Sequence, residues 1–185
     1  MDRPAKRVRP KLDGAALFDY AVAALAAHAH TSAEIRRKLR AKADKAGDVD
    51  QVIARLRDYG YLNDRKYAES FAGVRLENQG FGKARVLREL KARSVTEGIA
   101  RHAVELAYRD VNEEELIQKY VERRILKFTS GERLGDEKEL ASAYRKLIRA
   151  GFSPGASLRV LKQMARNPGQ FDEFDPPEPS TEPEA

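Results

Sequence analysis

Residues 57–75 read RDYGYLNDRKYAESFAGVR, and a glycine, two tyrosines and an Asn-Asp pair here interrupt a chain that is otherwise helical in pattern. Upstream, Val49, Val52, Ile53, Leu56 and Tyr59 recur at the three- and four-residue spacing of one helical face. This predicts a helix from about Asp48 that stops at Gly60, since glycine enters the left-handed conformation of a helix end without steric cost. Tyr61 and Leu62 are expected to pack back over that end. Asn63 or Asp64 then caps a new helix, on which Tyr67, Phe71 and Val74 share a face. GYLND is therefore a tight helix-to-helix joint, and architecture alone accounts for Gly60 and Leu62.

The same punctuation occurs on both sides. Before the joint, Leu17, Ala21, Ala24 and His28 line one helix, and a second opens at Thr31 with Glu34 three residues on, a capping box followed by Ile35, Leu39 and Ala43. After it, the helix from Asp64 stops at NQGFG. A second helix then carries Val86, Leu87 and Leu90, and a third opens with Ser94 and Glu97 as a box and carries Ile99, Ala103 and Leu106. From Asn112, three glutamates favour the positive end of a helix carrying Ile117, Val121, Ile125 and Phe128. A helix from Asp136 carries Leu140, Ala143, Leu147 and Ile148, and Gly151, Ser153 as cap and Pro154 introduce the last.

The middle helices begin near residues 32, 82 and 136, a repeat spacing. The expected fold is all-α: three tandem three-helix repeats, residues 12–62, 63–109 and 110–166, in an elongated, curved array. A unit of this size buries little surface alone, so neighbours should stack.

The chain has 185 residues, 42% of them hydrophobic, and no cysteine. That removes disulfides and thiolate metal sites and suits a reducing cytoplasm. The longest apolar run, GAALFDYAVAALAA, is broken by Asp19, so no membrane span is expected. Net charge is +6, unevenly spread: residues 1–11 hold five cations against Asp2, while residues 167–185 hold six acids and no cation. The first segment reads as a basic disordered arm, the last as an acidic disordered tail that either competes for the protein's own basic surface or only solubilises it.

Catalysis finds no constellation here. QGFGK lacks the spacing and the following Ser or Thr of a phosphate loop, His28 and His30 lack further metal ligands, and His102 lies among core-facing positions. Neither catalytic residue, cofactor nor metal is expected. The positive charge is more informative. The second helix of the first unit carries Arg36, Arg37, Lys38, Arg40, Lys42 and Lys45; that of the second, Lys83, Arg85, Arg88, Lys91 and Arg93; that of the third, Lys138, Arg145, Lys146 and Arg149. Arg65 and Arg75, at the ends of the intervening helix, join the candidate set. Stacked units would align these cations to track a polyanion such as single-stranded DNA, although solvated helix faces are often basic for no such reason.

Four stretches resemble a known family, the RecX regulatory proteins, bacterial modulators of the RecA recombinase: HTSAEIRRKL (30–39), GYLNDRKYAESFAGVR (60–75), GFGKARVLRELKARSV (80–95) and YRKLIRAGFS (144–153). They stand in the family's order and spacing across about residues 17–163. Gly60, Tyr61, Leu62, Asn63 and Asp64, followed by Arg65, Tyr67, Ala68 and Phe71, are the most specific piece; Gly151 and Phe152 mark the last. Two positions depart: Gly82-Lys83 stands where the family usually has Gly-Pro, and Ser94 where glycine is frequent. A monomer is expected because no long exposed apolar seam remains once the core is assigned, and the cytoplasm is the default compartment. The resemblance implies a protein lying along the groove of the RecA–single-stranded DNA filament. There it would limit filament growth and damp strand exchange, ATP turnover and coprotease activity in DNA repair and the SOS response. Small three-helix units with a basic helix also resemble helix-turn-helix DNA readers, which would act without recombinase, and a helical scaffold working through its tails is the third reading.

Overall fold

The computed structural model describes residues 11–126 and 137–165, and these are helical throughout apart from the connections. The first module holds α1 (Gly14–Ala27), α2 (Ser32–Lys42) and α3 (Ala46–Asp58). The second holds α4 (Asp64–Val74), α5 (Lys83–Ala92) and α6 (Glu97–Ala107). The third holds α7 (Glu113–Arg124), α8 (Glu137–Arg149) and α9 (Pro154–Met164). The basic arm up to residue 10, Phe128 and the tail from 167 lie outside the described residues. Lys11 is described, and its Nζ donates to Ala41 O at 3.2 Å. Leu12 forms an isolated parallel bridge with Ala43.

Each module has its own core. In the first, Leu17 and Ala21 of α1 meet Ile35 and Leu39 of α2 and Val49, Val52, Ile53 and Leu56 of α3, closed by Leu62. The second packs Ala68 and Ala72 against Val86, Leu90, Ala100, Ala103, Val104 and Tyr108. The third packs Ile117 and Val121 against Leu140, Leu147, Val160 and Leu161. Burial of one Leu or Ile side chain contributes about 1.5–3 kcal/mol. The extensive helix pairings fall within modules, and in each the third helix packs on both of the others. The repeat seen in the sequence is thus a repeat of packing.

Three turns end helices in the same way. After α3, α5 and α8 a residue with positive φ follows: Gly60 (73°), Ser94 (60°) and Gly151 (90°). Behind each, the next amide reaches back across the turn: Tyr61 N to Leu56 O at 2.8 Å, Val95 N to Leu90 O at 3.1 Å, Phe152 N to Leu147 O at 3.2 Å. These are Schellman caps.

Several sequence expectations are corrected here. Ser94 does not form a capping box with Glu97; it is the left-handed residue closing α5, and Thr96 occupies the N-cap of α6 without a side-chain bond. That geometry is why glycine suits the position. Helix α3 begins at Ala46, before Asp48. Tyr59 and Tyr61 are exposed, so only Leu62 folds back into the core. His28 and His102 are exposed, as are Val74 and Leu106. After Val74 the chain continues through a π-helical turn, Arg75–Gln79, whose wider winding shifts the helical phase before Gly80 (φ 62°) stops it. Ser153 sits at the N-cap of α9 without a side-chain capping bond. Its Oγ donates instead to Glu113 Oε2 at 2.7 Å, tying α9 to α7.

Candidate functional site

The Asn-Asp pair of GYLND serves two helices. Asn63 accepts from Lys66 N at 3.0 Å and caps its own helix, α4. Asp64 accepts from Ser32 N at 2.7 Å and so caps α2 of the preceding module. Beside it Thr31, fully buried, accepts from Glu34 N at 3.1 Å and donates its hydroxyl to Arg93 O at 2.9 Å. Glu34 closes the capping box through Thr31 N and reaches Arg93 Nη1 at 3.2 Å. The N-terminus of α2 is therefore built onto the C-terminal cap of α5.

The next joint repeats this one module on. Gly82 N donates to Ala150 O at 2.8 Å and Ala84 N to Gly151 O at 3.1 Å, while Arg88 Nη2 reaches Arg149 O at 3.1 Å. Here the N-terminus of α5 is built onto the C-terminal cap of α8. Gly82 corresponds to Thr31, and Ala150 to Arg93. The backbones touch so closely that a Cβ on Gly82 would lie 2.2 Å from Gly151 O, and one on Gly151 2.2 Å from Arg85 N. Phe81 packs against both the second and third cores, and Tyr108 donates its hydroxyl to Phe81 O at 2.6 Å. Burial, with the nearby Glu89 charge adding to it, pushes the Tyr108 phenol well above its usual range.

The middle helices α8, α5 and α2 thus follow one another end to end, the carbonyl end of each against the amide end of the next. Opposed helix poles of this kind attract each other. Their 34 residues, at the rise of an α-helix, amount to roughly 50 Å of helix in total.

The cations singled out from the sequence divide into two groups. Arg37, Lys38 and Arg40 on α2, Arg65 on α4, Lys83 on α5 and Arg145 and Lys146 on α8 are exposed and form no ion pair among the described residues. Others are engaged internally. Arg36 meets Asp50 at 3.2 Å, and Lys91 meets Glu97 at 3.4 Å. Arg101 and Lys91 hold the Glu97 carboxyl below its usual range through hydrogen bonds and charge. Arg75 and Arg85 converge on Glu89 at 2.8 and 3.0 Å, each guanidinium also lying over a ring, Phe71 at 4.7 Å and Phe81 at 3.7 Å. Tyr67 and Phe71 stack at 6.0 Å beneath this network, so the GYLND helix uses its aromatics inside module two. Burial raises the Tyr67 phenol.

Sequence reading missed Lys119, Arg123 and Arg124, which line a cavity of about 170 Å³ with Leu76, Gly80 and Tyr120 between the π-turn and α7. Only the spacing of lysine and arginine on α7 signalled it. Among the described residues, no cluster of three or more His, Asp or Glu could hold a metal, and no helix is long and apolar enough to cross a membrane.

Residues 63–104 match the family described as RecX, second three-helix domain. Regulatory protein RecX of Trichlorobacter lovleyi is 32% identical over 123 residues, covering 66% of this chain and 79% of that protein. The chain belongs to the RecX family of regulatory proteins. The RecX of Deinococcus radiodurans is 31% identical over 152 residues, covering 81% of this chain and 69% of its own. In fold, the chain resembles the crystal structure of RecX from Lactobacillus salivarius with a TM-score of 0.63 at 16% identity, over 82% of this chain and 96% of that one. A second RecX crystal structure gives 0.67 over 81% and 71%. The three-helix repeat array is accordingly the RecX fold, and the residues that build its joints lie inside the stretches that carry the family likeness.

Proposed function

We propose that this RecX-family protein binds the RecA–single-stranded DNA filament in the cytoplasm and restrains strand exchange, ATP turnover and coprotease activity. It acts as a monomer and by binding, without catalysis or cofactor. The observation that carries this reading is the end-to-end run of α8, α5 and α2 with cations left unpaired along it. Arg37, Lys38, Arg40, Lys83, Arg145 and Lys146 are the leading contacts, with Arg65 beside them; Arg36, Arg88 and Lys91 join by exchanging or keeping their present partners. Arg75 and Arg85 act mainly by bracing Phe71 and Phe81. Many modest contacts spaced along a line suit a charged filament better than a compact target.

Retention on immobilised single-stranded DNA, with and without recombinase and nucleotide, tests the reading. It requires strong retention on the recombinase-coated strand. Equal, salt-sensitive retention on the bare strand would favour a helix-turn-helix reader of DNA, and retention on neither would favour a scaffold.

A further inference from the structure

Two tyrosines on the first module stand outside its core. Tyr59 is 62% exposed and Tyr61 55%, on either side of Gly60. Among the described residues neither hydroxyl makes a hydrogen bond and neither ring enters a core. The turn itself does not require this. Tyr61 follows the left-handed residue of a Schellman cap, where the other two caps carry Val95 and Phe152, 4% and 3% exposed. At the position before the left-handed residue, where α3 has Tyr59, they have Arg93 and Ala150. Only the cap of α3 turns apolar side chains outward at both places, and Leu62 plugs the core instead.

The rings are held, not loose. Tyr59 lies edge-on to Phe18 with centroids 5.9 Å apart, and Tyr61 follows at 6.1 Å with a 58° tilt. Arg55, one turn before Tyr59, places its guanidinium 4.3 Å from the Phe18 centroid. The backbone beneath is fixed by Gly60 N to Arg57 O at 2.9 Å and Leu62 N to Leu56 O at 3.2 Å. The result is a preorganised pair of aromatic facets beside a stacked guanidinium.

We infer that Tyr59 and Tyr61 form a stacking platform for unpaired nucleobases of single-stranded nucleic acid, with Arg55 beside it. Every base has a π-face, so such a platform binds strands with little sequence preference, at about 1–3 kcal/mol per stacked base. The neighbouring guanidinium and the basic surface of the chain suit the phosphates that accompany the bases. The site lies on the α3 cap, and it does not depend on recombinase.

The test measures binding of the full chain to a labelled oligothymidine and to an abasic strand of the same length and charge, without recombinase. Replacing both tyrosines, Tyr59→Ala with Tyr61→Ala, is expected to weaken oligothymidine binding at least about fivefold and to leave abasic-strand binding unchanged. Tyr59→Phe with Tyr61→Phe keeps the rings and should bind like the parent, which separates loss of stacking from damage to the fold. Equal loss on both strands, no loss on either, or no measurable binding of the parent to oligothymidine would overturn the inference. So would a defect seen only with recombinase present, which would assign the facets to a protein partner.

Discussion

Asp64 Oδ1 accepts the backbone N–H of Ser32, thirty-two residues upstream, at 2.7 Å, and so the first helix of one module caps the second helix of the module before it. The first two modules are thereby registered by helix-capping chemistry, while Phe81 and Leu116 pack against both the second and the third core. An N-cap carboxylate contributes about 0.5–2 kcal/mol. We expect Asp64→Ala to lower stability by about 1–2 kcal/mol and to expose the Ser32 amide to hydrogen exchange. Asn63→Ala should cost about 1 kcal/mol and speed exchange at Lys66 instead. Amide exchange followed residue by residue separates the two effects.

The second joint depends on the absence of side chains. Gly82→Ala places a methyl group 2.2 Å from a carbonyl oxygen, and Gly151→Ala adds left-handed strain to a similar clash. Each should destabilise by about 3 kcal/mol or more, as overpacking with backbone displacement does. Gly60, at φ 73° but with open space around its Cα, should tolerate alanine at about 1–2 kcal/mol. Thermal or urea melts rank the three.

Ser94 holds the same left-handed position as those glycines, with a Cβ. Ser94→Gly should stabilise by up to about 1 kcal/mol, the relief of strain being partly offset by the freedom glycine adds to the unfolded chain. A fall in melting temperature would show that the serine side chain has a task the fold does not reveal.

These positions mark how far the sequence could be read. The helices, their repeat and the cap at Gly60 were legible because helical spacing and left-handed stops are local signals. Tyr59 was placed inward because the periodicity of α3 continues to it, yet the cap turns the chain before its side chain reaches the core. Val74 was misplaced because α4 buries the small stripe Ala68–Ala72, and Val74 lies on the far flank of that stripe although it is in phase with Tyr67. The candidate cations were legible as residue types on helices, but the pairing of Arg75 and Arg85 with Glu89 depends on distances across module two. The joints were illegible, since Thr31 with Arg93 and Gly82 with Ala150 are more than sixty residues apart.

Tyr108 gives the protein an alkaline limit. Its phenol is neutral in the fold and titrates higher there than the ordinary value of 10.0. The unfolded chain therefore loses that proton first, and the stabilisation, complete below about pH 10, is lost as pH rises towards the folded value. Urea melts from pH 8 to 11 should show falling stability. In Tyr108→Phe that fall should be shallower, and stability at pH 8 lower by about 1 kcal/mol for the missing bond to Phe81 O. Identical pH slopes in both proteins would exclude Tyr108 as the cause.

On the proposed function, the charge on the middle helices carries the binding of the array to the filament. In a RecA-promoted strand-exchange assay the parent is expected to inhibit, and the variant Arg37→Glu, Lys38→Glu, Arg40→Glu should lose that inhibition while its circular dichroism stays unchanged, because all three side chains are exposed on α2. Undiminished inhibition by this variant would contradict the assignment of the middle-helix cations to the filament.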